Sequence, residues 1–229
     1  MKRIFSHVIK IALVLAMIIC WVLSIGYTNR LTSVKNTFNI YFDKEEYLPA
    51  DIYKMQQEEK DKQVILKALN LKDIFFRTNE MCHITSSAWI VNSDFTEVLM
   101  AYHRIYDSWA WLGGHNDGNT DCLQVAIQEA KEESGLKNIV PLSDSIFSIE
   151  VLTVDGHEKK GSYVSSHLHL NITYLLQADE NEEVHIKEDE NKGVKWFLME
   201  EVEKVSSEPW FIKRIYNKLN QKVKQTVTK

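Results

Sequence analysis

Glu129, Glu132 and Glu133 stand at i, i+3 and i+4 in DCLQVAIQEAKEESGL, residues 121–136, and this spacing gathers three carboxylates on one side of a helix. Like charges so placed repel, so an isolated helix gains nothing from them. A hard divalent cation removes that penalty, because carboxylates and water are the ligands Mg²⁺ prefers. A Glu-rich face alone reads more simply as a solvated one. The stretch Gly113-Gly114-His115-Asn116-Asp117-Gly118 directly upstream tips the balance, since glycines let backbone approach a phosphate or metal closely and a helix start offers N–H donors to an anion.

These residues need elements to hold them. Thr120 or Asp121 is expected to cap the helix and Gly135 to stop it. Leu123, Ala126, Ile127 and Ala130 share the face expected to be buried, about a third of a turn from the acids. Upstream, residues 86–91 and 97–102 read as two strands joined by the polar turn 92–95, and Trp109-Ala110-Trp111-Leu112 as a short strand running into the glycines. Further strands are expected at 147–154, 167–176 and 193–198, with 179–191 as a solvated loop. Residues 50–71 carry a helical pattern expected to break around Glu58 to Lys62. Residues 202–223 form a terminal helix with Trp210, Ile212, Ile215, Tyr216 and Leu219 on its apolar side. There is no internal repeat.

The chain of 229 residues, 45% hydrophobic, is long enough to bury a core. Its formal net charge is -5 and no stretch concentrates Lys and Arg, which excludes nucleic acid as the expected partner. Cys20, Cys82 and Cys122 are scattered without close spacing and read as ordinary buried residues. Residues 11–29 lack a charged side chain, enough as a helix to cross a hydrocarbon layer of about 30 Å. With Lys2, Arg3 and Lys10 before the run and Trp21 and Tyr27 toward its far end, it reads as an uncleaved single-pass membrane anchor, with a signal peptide and a core helix as the rivals. The expected organisation is anchor 1–29, connector 30–47 and catalytic domain 48–229. The charge rule leans toward an internal N-terminus. A translation start further downstream would instead give a cytoplasmic protein.

Residues 114–136 resemble the Nudix box, GX5EX7REUXEEXGU, with Gly114, Glu129, Ala130, Glu132, Glu133, Gly135 and Leu136 in register. Two positions depart: Thr120 replaces the first glutamate and Gln128 the arginine that ordinarily orients an acid. Residues 83–89 (HITSSAW), Tyr102-His103, residues 108–111 (SWAW), Gly113-Gly114-His115 and residues 167–171 (HLHLN) are similar to a bacterial Nudix subgroup with a GGHxDG loop. The resemblance implies an α/β fold, an α/β/α sandwich on a mixed sheet, here preceded by the transmembrane helix. It further implies Mg²⁺, with Mn²⁺ as substitute, held by Glu129, Glu132, Glu133 and the Gly114 carbonyl. The reaction it implies is hydrolysis of a diphosphate linkage in a nucleoside diphosphate derivative or related small molecule. Family members often recruit another glutamate from a loop before a Trp-containing strand. Glu190, ahead of Val194-Lys195-Trp196-Phe197, is that candidate, as ligand or general base, with Glu188 and Asp189 as competitors; Glu129 and Glu133 are the other candidate bases.

Other residues admit two readings. His167 and His169, two apart on a strand, point to one face. They line the pocket as substrate-binding residues or merely fill it, and no third ligand for zinc is evident at a useful spacing. His115 either contacts substrate or makes a structural hydrogen bond. Trp109 and Trp111 read as core. Cys122 lies at a helix start, but no partner base stands near it in sequence. Rival functions are a membrane-tethered nucleotide or metabolite sensor without turnover, and an isoprenoid diphosphate isomerase, which needs a well-placed cysteine. Oligomeric state is left open, a homodimer included.

Overall fold

The computed structural model describes residues 15–24, 26, 52–159 and 161–227. Of the expected anchor, residues 15–24 and 26 are helical, with Leu15, Met17, Ile18, Ile19, Trp21, Val22 and Leu23 exposed. The rest of the anchor and the connector lie outside the described residues. Among the described residues no helix is long and apolar enough to cross a membrane. Cys20 is exposed, against expectation, while Cys82 and Cys122 are buried.

An eight-stranded mixed sheet forms the centre. Strand β1 (Cys82–Val91) runs parallel to β9 (His167–Gln177), from Cys82 beside Leu168 to Val91 beside Gln177. The other edge of β1 is shared. Ile90 and Val91 pair with β2 (Glu97–His103), and residues 85–88 pair with β4 (Leu112–His115). The expected strand at Trp109–Leu112 is thus split into β3 (Ser108–Ala110), on β2, and β4, which carries the glycine pair within the sheet. β5 (Val140–Pro141) and β6 (Ser148–Val154) pair with β9, and β10 (Asn191–Leu198) pairs with β2. Residues His157–Lys159 (β7) and Ser162–Val164 (β8) form a separate hairpin that the sequence pattern did not signal.

Alternation along the central strands divides the core in two. Ile84, Ala88 and Ile90 of β1 join Leu170, Ile172 and Leu176 of β9 and pack with α1 (Ile52–Ala68) and α2 (Cys122–Ser134). Trp89 and Val91 face the other way, onto Ile215, Tyr216, Leu219 and Val223 of the C-terminal segment. The terminal helix is broken: α3 (Val202–Val205) stops before Ser206-Ser207-Glu208, then α4 (Pro209–Phe211) passes through a π turn at 212–216 into α5 (Asn217–Val227). Pro209 explains the break, since the residue before a proline is pushed out of the helical region and proline itself suits a helix start.

Helix α1 runs unbroken through Glu58 to Lys62, contrary to the expected fraying. The reason is tertiary. Glu58 is buried and accepts from Ser148 Oγ, Lys222 Nζ (2.8 Å) and Lys218 Nζ (3.1 Å). Lys218 also donates to Glu150 at 2.8 Å, and Glu150 continues the network to Asn171 and Thr173. Burial alone would raise the Glu58 carboxyl, but Lys222 and Lys218 hold it at about 2. Because the folded value lies below the ordinary 4.5, its stabilisation is complete above that pH and is lost as pH falls toward 2. Lys218→Met leaves Glu150 and Glu58 buried and undercompensated. Urea titration at neutral pH is expected to show a loss of about 3–5 kcal/mol, and this deficit should shrink when Glu150→Gln is added.

Candidate active site

Helix α2 is built as its punctuation suggests. Asp121, rather than Thr120, caps it by accepting from Gln124 N at 3.0 Å, and Gly135 ends it in the left-handed region at φ 74°. Its buried side is rotated from expectation. Cys122, Val125, Ala126 and Ala130 enter the core, while Leu123 and Ile127 are only partly buried and line an outer groove of about 480 Å³ with Gln124, Gln128, Lys131 and Glu132. That rotation turns Glu133 inward.

Glu133 is buried against β4, where its Oε2 accepts from Gly113 N at 3.0 Å. Glu129 lies against Gly114 so closely that a Cβ at that position would collide with its carboxylate, which is why glycine stands there. Burial, with repulsion between the two acids and from Glu190, pushes Glu133 up to about 8; burial, with repulsion from Glu132 and Glu190, pushes Glu129 up to about 7. Glu132 is more exposed. Gln128 Nε2 donates to it at 2.8 Å and Lys187 Nζ at 3.2 Å, holding it below the usual carboxylate range. Gln128 thus supplies the departed arginine position with a neutral donor, directed at Glu132.

The fourth acid arrives from the loop before β10. Lys187 pairs with Glu190 at 3.0 Å as well as with Glu132, so one ammonium bridges the helix and the loop. Asn191, fully buried, fixes that loop by donating to the Glu133 carbonyl at 3.0 Å and accepting from Lys187 N at 3.2 Å. Neither Lys187 nor Asn191 was visible as a site residue in sequence; the one available signal was their position beside Glu190. Arg77, in a close ion pair with Asp117, also feels the charges of Glu129 and Glu190. The set Glu129, Glu132, Glu133, Glu190 and the Gly114 backbone offers hard oxygen donors, two of them desolvated carboxylates that repel each other. It fits a cation of the magnesium type.

His115, His167 and His169 come together, but joined by His83 and apart from the acids. Strand alternation sets His83 with Trp89, on the sheet face opposite α2. The expected absence of a third histidine beside His167 and His169 is therefore corrected: the parallel register places His83 beside His169, and β4 brings His115. Cys122 is enclosed and its thiol is pushed up to about 11 by burial; burial also raises Cys82. Neither is a reactive thiol. Trp109 packs edge-on against Tyr102 and Phe197, and Trp111 against Phe211 and Tyr216, as core-lining residues.

Comparison with known proteins identifies the family. The NUDIX domain family model matches residues 81–219, more than half the chain. The chain belongs to the Nudix family and is a hydrolase of phosphoric anhydride bonds. Among solved structures, an Ap4A hydrolase from C. elegans is 20% identical with a TM-score of 0.45, over 63% of this chain and 97% of that one. A NUDIX family hydrolase from Clostridium perfringens is 22% identical with a TM-score of 0.42, over 63% and 97%. The E. coli dihydroneopterin triphosphate pyrophosphohydrolase is 15% identical with a TM-score of 0.44, over 63% and 94%. No curated protein matches the chain.

The contact between Gly114 and Glu129 is directly testable. Gly114→Ala must displace the carboxylate. Turnover is expected to fall by about 100-fold, the scale of a roughly 1 Å misplacement, while the circular dichroism spectrum stays that of the parent.

Proposed function

We propose that the chain hydrolyses a diphosphate linkage in a nucleoside diphosphate derivative or related small molecule, with Mg²⁺ as cofactor and Mn²⁺ as substitute. The observation that carries this reading is the seating of Glu129 and Glu133 against the backbone of Gly114 and Gly113, with Lys187 tying Glu132 to Glu190 at the rim. Glu129, Glu132 and Glu133, with the Gly114 carbonyl, would hold the cation. When bound it would neutralise phosphate oxygens and lower the pKa of an attacking water. Glu190 stands by as the further carboxylate, able to accept the water's proton because its partner Lys187 keeps it near the helix acids. Arg77 and Lys187 supply positive charge at the rim for the phosphates of the substrate.

The sensor alternative draws on Thr120 and Gln128, but Gln128 keeps an orienting hydrogen bond to Glu132. The isomerase alternative wants a thiol, and Cys82 and Cys122 are both enclosed. Hydrolysis is the reading retained. The membrane anchor over 1–29 stays a proposal separate from the chemistry.

Glu132→Gln or Glu133→Gln should abolish Mg²⁺-dependent phosphate release across a panel of nucleoside diphosphate sugars, dinucleoside polyphosphates and oxidised nucleotides; undiminished turnover defeats the assignment. The raised carboxyls add a pH signature. Mg²⁺ must displace the protons that Glu129 and Glu133 hold up to about 7 and about 8, so its affinity rises with pH through that range and flattens above it. Calorimetric titrations at several pH values, with proton release read from buffers of different ionisation heat, check this.

A further inference from the structure

Four histidines from three strands converge at one end of the sheet face opposite α2. His83 and His169 sit side by side on the parallel pair β1 and β9, His167 lies two residues before His169 on β9, and His115 ends β4. Ring centroids are 4.9 Å apart for His83 and His169, 5.1 Å for His83 and His115, 4.8 Å for His115 and His169, and 5.0 Å for His167 and His169. One ring nitrogen from each of His83, His115 and His169 lies within 4.8 Å of the other two.

The hydrogen bonds around this cluster fix which nitrogens face inward. Asn79 O lies 3.1 Å from His83 Nδ1 and Ser165 O lies 2.8 Å from His167 Nδ1. A carbonyl only accepts, so both Nδ1 atoms carry the proton, leaving each neutral ring a bare lone pair on Nε2. His83 is almost wholly buried, and its Nε2 has no hydrogen-bond partner. An enclosed acceptor left unsatisfied destabilises the fold unless something fills it. His167 Nε2 and His169 Nε2 face each other at 3.1 Å. The single proton of a neutral His169 satisfies that pair by donating to His167 Nε2, which leaves the buried His83 Nε2 lone pair as the one without a donor. Such a lone pair suits a cation, and carbonyl-oriented imidazoles are how metal-binding histidines are held. Arg77 and Lys159 are the positive groups that feel the cluster, and Arg77 is held in an ion pair with Asp117.

We propose that His83, His115 and His169 bind a divalent transition-metal ion of the Zn²⁺ type, distinct from the carboxylate site, with His167 beside them. Neutral imidazole suits zinc and its neighbours in the transition series, whereas Mg²⁺ favours oxygen. The chain is thereby fitted with two metal sites of different hardness on either side of β4.

The test uses the purified full chain with Mg²⁺ in large excess to occupy the carboxylate site. Calorimetry with ZnCl2 should show one equivalent bound, and CoCl2 should give the intense visible bands of a tetrahedral nitrogen site. His83→Ala and His169→Ala should each weaken Zn²⁺ at least about tenfold, a loss that even outer-shell substitutions can cause, while Glu132→Gln leaves it unchanged. Zinc-edge X-ray absorption on the unaltered protein should find nitrogen neighbours at about 2.0–2.1 Å, which decides the matter even if a histidine variant fails to fold. An absence of Zn²⁺ uptake under excess Mg²⁺, an oxygen-only shell, or an affinity moved by Glu132→Gln and not by the histidine variants overturns the proposal.

Discussion

The parallel pairing of β1 with β9 gives every residue of β1 a partner and fixes what each face of the sheet carries. A slip of one residue would send His83, Thr85 and Ser87 to the helix α2 side and Ile84, Ser86 and Ala88 to the other. As built, Ser86 donates to Asn116 at 2.8 Å and steadies the loop after β4, while Ser87 and Thr85 meet Asn171 across the sheet. The same register lets β4 dock on β1, which sets Gly113 and Gly114 against the acids of α2. Without that pairing neither the carboxylate site nor the histidine cluster would exist.

Around Glu129 and Glu133 the protein gathers acids that resist ionisation, and around Glu58 and Glu150 it gathers acids matched by buried ammonium groups. The contrast separates two uses of buried charge. In the second network the counter-ions are part of the chain, so the network belongs to the core. In the first, Lys187 partly offsets the charge from the rim, and the remaining imbalance is what a bound cation would resolve.

Much of this was legible in sequence where the signal is local. Asp121, Gly135 and the acid spacing announced α2, and the strand-like runs at 86–91, 97–102, 147–154, 167–176 and 193–198 announced β1, β2, β6, β9 and β10. The apolar pattern misjudged the rotation of α2, because Leu123 and Val125 are equally good core candidates and only the approach of β4 decides between them. Lys187 and Asn191 sit in a charged loop with no periodicity, so their contacts with Glu132 and Glu133 had no sequence signature. His83 lies 32 residues from His115 and 86 from His169, and only strand register unites them. The continuity of α1 likewise depends on lysines far along the chain.

That last dependence bears on how the protein is made. Helix α1 precedes the matched family segment, yet Glu58 rests on Lys218 and Lys222, the latter 164 residues later in the chain. A ribosome delivers the acid first and its partners last. The core over Glu58 closes only once Lys218 and Lys222 are in place, so this part of helix α1 is a late-forming element of the fold.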